Sequence, residues 1–164
     1  MPRRAFYSFH YKPDNWRASQ VRNMGVIEGN PPASDNDWET IKKGGDSAIK
    51  RWINKQMKGK SVAIVLIGEH TANRKWINYE IKQAWEKGKG VLGIHIHNLK
   101  DKNGKQSRKG NNPFDYVFVD GSQLSKRVRA YNPPYLTSKK VYENIKENLA
   151  DWIEDAIERR ADYD

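Results

Sequence analysis

The sequence contains no cysteine among its 164 residues. Disulfide bonds and thiolate metal sites are therefore excluded. Nothing in the composition argues for an oxidising extracellular compartment, so we expect a cytoplasmic protein.

Long apolar runs are also missing. No stretch approaches the roughly 18 to 20 consecutive apolar residues of a membrane-spanning helix. The opening segment MPRRAFYSFHYK lacks the apolar core of a signal peptide, and we expect no membrane partner. The 37% of hydrophobic residues suffice for one core, so residues 1–164 are expected to form a single domain.

Acidic residues are in the minority, at 20 against 30 Lys and Arg, and the charge is unevenly spread. Residues 41–60 carry seven bases and one acid, and residues 98–129 carry eight bases and three acids. From residue 143 onward, eight acids outnumber three bases. A nucleic-acid binder has such basic segments, but no recognition helix or aromatic-rich basic strand accompanies them. We therefore expect a solvated basic face and no specific nucleic-acid binding.

The apolar pattern predicts strands and helices in alternation. Strands are expected at RAFYSF (4–9), Val26-Ile27, SVAIVLIG (61–68), GVLGIHI (90–96) and YVFV (116–119). Helices are expected at four places. The first begins at Asp14 or Asn15, and the second begins at Trp38 and restarts with Asp46 as a new N-cap. The third begins shortly before Ile77, and the last is capped by Thr137 or Ser138. This alternation predicts a flavodoxin-like three-layer α/β sandwich, with about five mostly parallel strands and helices on both faces.

In the flavodoxin-like order 2-1-3-4-5, ligands bind at the carboxyl ends of the first and third strands. Those ends are Ser8-Phe9-His10 and Gly68-Glu69-His70. Neither carries the acidic cluster of a phospho-receiver domain. The segment HYKPDN after the first strand is neither a hydroxyl-rich phosphate loop nor a G-x-G-x-x-G turn, which argues against flavodoxins and dinucleotide-binding folds.

Two longer stretches carry a specific resemblance. RAFYSFHYKPD resembles the D-V-F-I-S-Y-S opening of TIR domains, and SVAIVLIGEHTANRKWINYEI resembles their third strand followed by S-x-W-C-x-x-E-L. DSAIKRWIN, GIHIHNLKDKNGK and GNNPFDYV are similar to the bacterial TIR-like branch of the Thoeris anti-phage system. The resemblance covers about residues 3–119, whereas residues 121–164 show little of it and are expected to form a basic, Pro-containing loop and a closing helix.

The resemblance implies an enzyme that cleaves NAD⁺ at the nicotinamide–ribose bond and makes a cyclic ADP-ribose isomer. NAD⁺ would be a substrate, and no cofactor is expected. Glu80 falls on the catalytic Glu of the motif, and Trp76, one helical turn earlier, falls on its Trp. Ser8, Phe9 and His10 are expected to line the substrate site, together with Trp38, which could instead anchor its own helix.

The resemblance also implies partners. TIR sites are commonly completed by a neighbouring subunit, so we expect a homo-oligomer in the active state. One sheet with its helices uses residues 4–160, so a separate nucleotide-sensing effector should read a diffusible product. The alternative from another functional class is a TIR-like adaptor that assembles through protein contacts without catalysis.

Two of the candidate site features also have a purely structural interpretation. Glu80 could be an ordinary helix-surface carboxylate paired with Lys75 or Lys87. The pair His95 and His97 lies on one face of a strand, as metal ligands do, but a site needs a third ligand from Glu69 or His70. We therefore predict no metal site.

Overall fold

The structure is a computed structural model that describes residues 3–25 and 44–164. The first strand, β1 (Ala5–Ser8), leads into helix α1 (Tyr11–Arg22), and α2 spans Asp46–Met57. Then β2 (Val62–Ile67), α3 (Lys75–Glu86) and β3 (Gly90–His95) alternate. The chain continues through β4 (Phe118–Val119), β5 (Ser122–Gln123) and β6 (Ala130–Tyr131), and α4 (Ser138–Ala161) closes it. Two short 3-10 helices span Pro113–Tyr116 and Leu124–Lys126.

The main sheet has four parallel strands in the order β1-β2-β3-β6. Ser8 at the end of β1 is in register with Val65 in β2. The predicted strand at Val26-Ile27 and the predicted helix start at Trp38 lie outside the described residues. The α/β sandwich with a parallel sheet is confirmed.

Each face of the sheet has its own apolar core. On one face, α1 and α4 pack on alternate strand residues, which include Tyr7, Ile64 and Leu92. On the other face, α2 and α3 pack on the residues between them, such as Phe6, Ala63 and Val91. Because both faces are covered, β2 is buried at every position, as a central parallel strand should be.

Three local predictions are wrong. Helix α1 begins at Tyr11 with His10 as N-cap, which places Asp14 in the first turn rather than at the cap. Helix α2 has Gly45 as its N-cap, and Asp46 is its first residue. The predicted last strand, YVFV, contributes only Phe118–Val119 to a separate antiparallel pair with β5, and β6 takes its place in the main sheet.

The reason for the last difference is local. Residues 113–116 form a 3-10 helix that begins with proline and is capped by Asn112, so the chain turns before the apolar residues can extend along β3. Phe118 is exposed, whereas Phe114 and Val117 are buried in the core.

Candidate active site

Two of the predicted site residues, Ser8 and Glu80, meet at the carboxyl end of β1. Ser8 is the last residue of β1, and its hydroxyl donates a hydrogen bond of 3.1 Å to Oε1 of Glu80. Each of these two residues is only 1% exposed. Seventy-two positions in sequence separate them, and the packing of α3 on the sheet brings them into contact.

Glu80 is buried because of its place on α3. Ile77, Ile81, Ala84 and Trp85 form the face of α3 that packs on the sheet, and Glu80 lies between the first two. The structural alternative, in which Glu80 is an ordinary surface carboxylate, is therefore wrong. Both lysines proposed as its partners bind elsewhere, since Lys75 contacts Asp46 at 2.6 Å and Lys87 contacts Asn54 at 2.7 Å.

The remaining predicted residues have different environments. Phe9 is buried in the core under α1, and its ring stacks near Tyr11 with centroids 6.2 Å apart. His10 is half-buried at the N-cap of α1. Trp76 is half-buried, in edge contact with Tyr79 and under the ammonium group of Lys75. Trp38 lies outside the described residues.

The histidine pair has no metal-binding geometry. His95 ends β3, and its ring meets that of His97 edge-on, with centroids 5.9 Å apart. His70 is exposed and contacts Glu69 at 3.4 Å. Over residues 3–25 and 44–164, no group of three or more His, Asp or Glu side chains is arranged to hold a metal ion.

Burial also sets the charge of the histidine pair. Desolvation lowers the pKa of His95 to about 4, and the nearby charges of Lys109 and His97 act in the same direction. Burial lowers the pKa of His97 as well, with Lys109 and Arg17 adding to the effect. Both rings are therefore neutral at physiological pH.

Comparison with known proteins decides the family. The model of the family described as "Thoeris protein ThsB, TIR-like domain" matches residues 6–101. The chain belongs to this TIR-like family. One of its relatives, from Bacillus cereus (strain MSX-D12), is named "Putative cyclic ADP-D-ribose synthase ThsB1". It is 43% identical over 136 residues, which cover 80% of this chain and 71% of the relative.

A second buried carboxyl in this TIR-like chain escaped the sequence analysis. Asp14 is 2% exposed and lies on α1, on the opposite face of the sheet from Glu80. Its Oδ1 accepts a hydrogen bond of 3.1 Å from Nη1 of Arg17, itself 4% exposed. Desolvation raises the pKa of Asp14, and the positive charge and hydrogen bond of Arg17 act against that rise. The helical spacing of Asp14 and Arg17 was visible in the sequence, but an acid and a base at i and i+3 more often lie on a solvated helix face.

Arg17 also holds the long loop that follows β3. Its guanidinium donates to the carbonyl oxygens of Leu99 and Lys105, at 2.8 and 2.9 Å. The basic loop predicted to be only solvated is therefore tied to α1 at these two points. Asp101 tightens the loop further by accepting hydrogen bonds from the backbone N–H groups of Asn103 and Lys105.

In the described part of the TIR-like chain, no helix is long and apolar enough to cross a membrane.

Proposed function

We propose that this protein is an NAD⁺-consuming enzyme of anti-phage defence that makes a cyclic ADP-ribose isomer as a diffusible signal. The observation that carries the proposal is the buried Ser8–Glu80 pair at the carboxyl edge of a parallel sheet, where ligands of such folds bind. Membership of the TIR-like family and the name of the Bacillus cereus relative support the same reaction.

The proposed chemistry begins with the bond between nicotinamide and ribose. As that bond breaks, the electron pair leaves with the nicotinamide ring nitrogen, which becomes neutral, and positive charge develops on the ribose carbon. A fixed carboxylate beside that carbon stabilises the charge, as in oxocarbenium-like transition states of glycoside hydrolysis. Glu80 is the group assigned to this role.

Cyclisation and hydrolysis differ only in what captures the cation. A hydroxyl of the adenosine ribose forms a new bond to the cationic carbon and loses its proton, which closes the ring. Water that attacks the same carbon gives linear ADP-ribose. A site that excludes water favours the cyclic product, and the burial of Glu80 and Ser8 supports that outcome.

Ser8 is assigned to positioning. Its hydroxyl donates to Oε1 of Glu80, which restricts the rotation of the carboxyl group and fixes the direction of its charge. Since both side chains are covered in this conformation, the proposed reaction requires a neighbouring segment to move before substrate enters. Formation of a homo-oligomer is our proposal for that step, and the product would then act on a separate nucleotide-sensing effector.

The test is a comparison of two glutamate variants on the same helix. Glu80→Gln removes the charge and keeps the volume, and we expect NAD⁺ turnover to fall by at least about 10³-fold with an unchanged circular dichroism spectrum. Glu86→Gln is the matched control, because Glu86 is an exposed residue of α3, and it should turn over normally. Products are measured by mass spectrometry after incubation of the purified protein, and of infected-cell lysate, with NAD⁺.

The adaptor alternative predicts the opposite result for product formation. If Glu80→Gln makes as much product as the wild type, the catalytic assignment fails. If protein-free filtrate from infected cells does not activate the effector while the protein itself does, direct contact is the mechanism, and the protein is an adaptor.

A further inference from the structure

Helix α2 carries a row of positive charges on the side that faces solvent. Arg51, Lys55 and the C-cap residue Lys58 are exposed and follow one another at helical spacing. None of the three makes an ion pair within the described parts of the chain. Asp46, the one acid of the helix, is already paired with Lys75. We call the three cations the basic stripe.

Helix α4 carries a row of negative charges, and it packs on the opposite face of the sheet from α2. Its exposed residues Glu143, Glu147 and Asp151 follow one another at i, i+4 and i+8, and we call them the acidic stripe. In the part of the chain that the structure describes, these carboxylates make no ion pair. Lys146 is the single base between them in the sequence. The next acid along the helix, Glu154, is in a surface ion pair.

Neither stripe is favourable within a single chain. Like charges at i and i+4 repel each other along a helix. Arg51 and Lys55 form such a pair on α2. On α4, Glu147 forms one with each of its two neighbours in the acidic stripe. Opposite charges at the same spacing would stabilise these helices, so a partner that brings the opposite charge accounts for the stripes better than helix stability does.

A groove of about 330 Å³ lies beside the acidic stripe. The residues that line it are Tyr135, Lys140, Glu143, Asn144 and Glu147. Tyr135 is 40% exposed, and the adjacent Leu136 is 83% exposed. The side-chain amides of Asn98 and Gln106 donate to the carbonyl oxygens of these two residues, at 3.2 and 2.6 Å respectively. The apolar rim of the groove is therefore held in place before any partner binds.

The groove suits a long cationic side chain. Arg and Lys join an apolar stem to a charged head, so the stem can pack on Tyr135 while the head meets the carboxylates of Glu143 and Glu147. A guanidinium over the tyrosine ring also gains a cation–π contact. Arg51 and Lys55 present two such side chains at the i, i+4 spacing of the two glutamates. The stripes are also similar in length, at about 10 Å for the basic one and about 12 Å for the acidic one.

We propose that the acidic stripe and its groove bind the basic stripe of a second copy of this chain. Because the two stripes lie on opposite faces of the sheet, the contact is head-to-tail. It leaves one stripe free at each end, so further copies add and an open stack forms. The net charge of +10 repels copies in other orientations. The interface does not depend on the proposed reaction, and only an effect of stacking on turnover rests on the proposed function.

Sedimentation velocity tests the interface without any substrate. At about 100 mM salt the wild type should form species larger than a monomer that grow with concentration. At about 1 M salt, where the Debye length falls to about 3 Å, it should be monomeric. Arg51→Gln with Lys55→Gln should weaken association at the lower salt concentration at least about ten-fold.

The matched control is Lys102→Gln with Lys126→Gln. These lysines are exposed and lie outside both stripes, and their replacement changes the net charge by the same amount as Arg51→Gln with Lys55→Gln. The control chain should associate at least as well as the wild type. A wild type that is monomeric at the lower salt concentration would overturn the proposal. So would equal association of the stripe variant and the control.

A mixture of two variants distinguishes head-to-tail stacking from other contacts. Glu143→Gln with Glu147→Gln should be as poorly associated as Arg51→Gln with Lys55→Gln. When the two chains are mixed at a concentration where each alone is monomeric, they should form a one-to-one dimer and nothing larger. The intact acidic stripe of one chain then meets the intact basic stripe of the other, and the neutralised stripes stop growth. A mixture that stays monomeric, or that grows beyond a dimer, would refute the arrangement.

The interface and the proposed function fail in different ways. A chain that stacks through its stripes but never cleaves NAD⁺ refutes the proposed function and leaves the interface standing. A chain that cleaves NAD⁺ through Glu80 while it remains monomeric refutes the interface alone. If that monomer binds a polylysine probe and Glu143→Gln with Glu147→Gln does not, the groove takes a different basic protein, and the proposal of a second copy fails.

Discussion

Two buried carboxyl groups lie at the same edge of the sheet, on opposite faces, and their surroundings differ. Glu80 lies among the apolar residues of α3 and receives a hydrogen bond from the neutral hydroxyl of Ser8. Asp14 lies on α1 beside the guanidinium of Arg17, which also ties down the loop after β3. Asp14 therefore has a cation beside it, and Glu80 accepts a hydrogen bond from a neutral hydroxyl.

The two surroundings fit two different roles. A carboxylate paired with a guanidinium has much of its field cancelled, and a hydrogen bond from a hydroxyl fixes the orientation of a carboxylate. Our proposal gives Glu80 the electrostatic role, and Asp14, together with Arg17, a structural one. The experiments below test this division, from the largest expected effect on stability to the smallest.

Arg17→Met should give the largest effect. The change removes the cation and leaves a buried carboxyl beside it, so we expect the free energy of unfolding to fall by about 3 to 5 kcal/mol. Urea denaturation at pH 7 measures it. Arg3→Met is the control, because Arg3 pairs with Glu154 on the surface and should cost less than about 1 kcal/mol. If Arg17→Met lowers the free energy of unfolding by less than Arg3→Met does, the buried Asp14 does not depend on its cation.

The buried histidine pair, His95 and His97, should make the free energy of unfolding depend on pH. The pKa of His95 is about 4 in the folded chain against 6.5 as its ordinary value. Between these pH values the unfolded chain binds a proton that the folded chain does not, so stability falls as pH drops from 6.5 towards 4. The loss due to His95 should be about 3 kcal/mol.

His95→Gln isolates this contribution from other titrating groups. Asp14 acts in the opposite direction, because a raised folded pKa of an acid increases stability as pH falls. The difference in unfolding free energy between the wild type and His95→Gln is therefore measured at pH 7.5 and again near pH 4. The stability of the wild type relative to His95→Gln should be lower near pH 4 than at pH 7.5. An equal difference at both pH values would contradict the burial argument.

Ser8→Ala should have the smallest effect on stability and a selective one on activity. Loss of the hydrogen bond to Glu80 should cost about 1 to 2 kcal/mol. If Ser8 positions the carboxyl group, kcat should fall about ten-fold with little change in KM. Ser61→Ala is the control, since its hydroxyl makes only an exposed contact of 3.4 Å with the carbonyl oxygen of Arg4. Equal kcat values for the two variants would remove Ser8 from the positioning role.

The comparison of the two carboxyl groups also marks how far sequence reasoning reached. The apolar spacing of α3 placed Glu80 beside a core-facing stripe, and the pattern at β1 placed Ser8 at a strand end. Neither pattern contained their hydrogen bond, because it joins residues 72 positions apart. Asp14 was expected at a helix cap, since the rules for caps use neighbours in sequence and could not register the contacts with Arg17 and Gly68.

By itself, the sequence determined the elements whose signal is local and long: the buried strands β2 and β3, the helices α3 and α4, the parallel sheet they imply, and the motif that carries Trp76 and Glu80. The two helices carry an apolar periodicity over ten or more residues, and the two strands are mostly apolar runs of six residues, so these elements formed where expected. Only the tertiary structure decided which short segment became the last strand, which basic loop was tied to α1, and which carboxyl groups were buried with which partners. Those outcomes depend on packing between distant segments, where a two-residue strand or a single side chain is selected by neighbours far away in the chain.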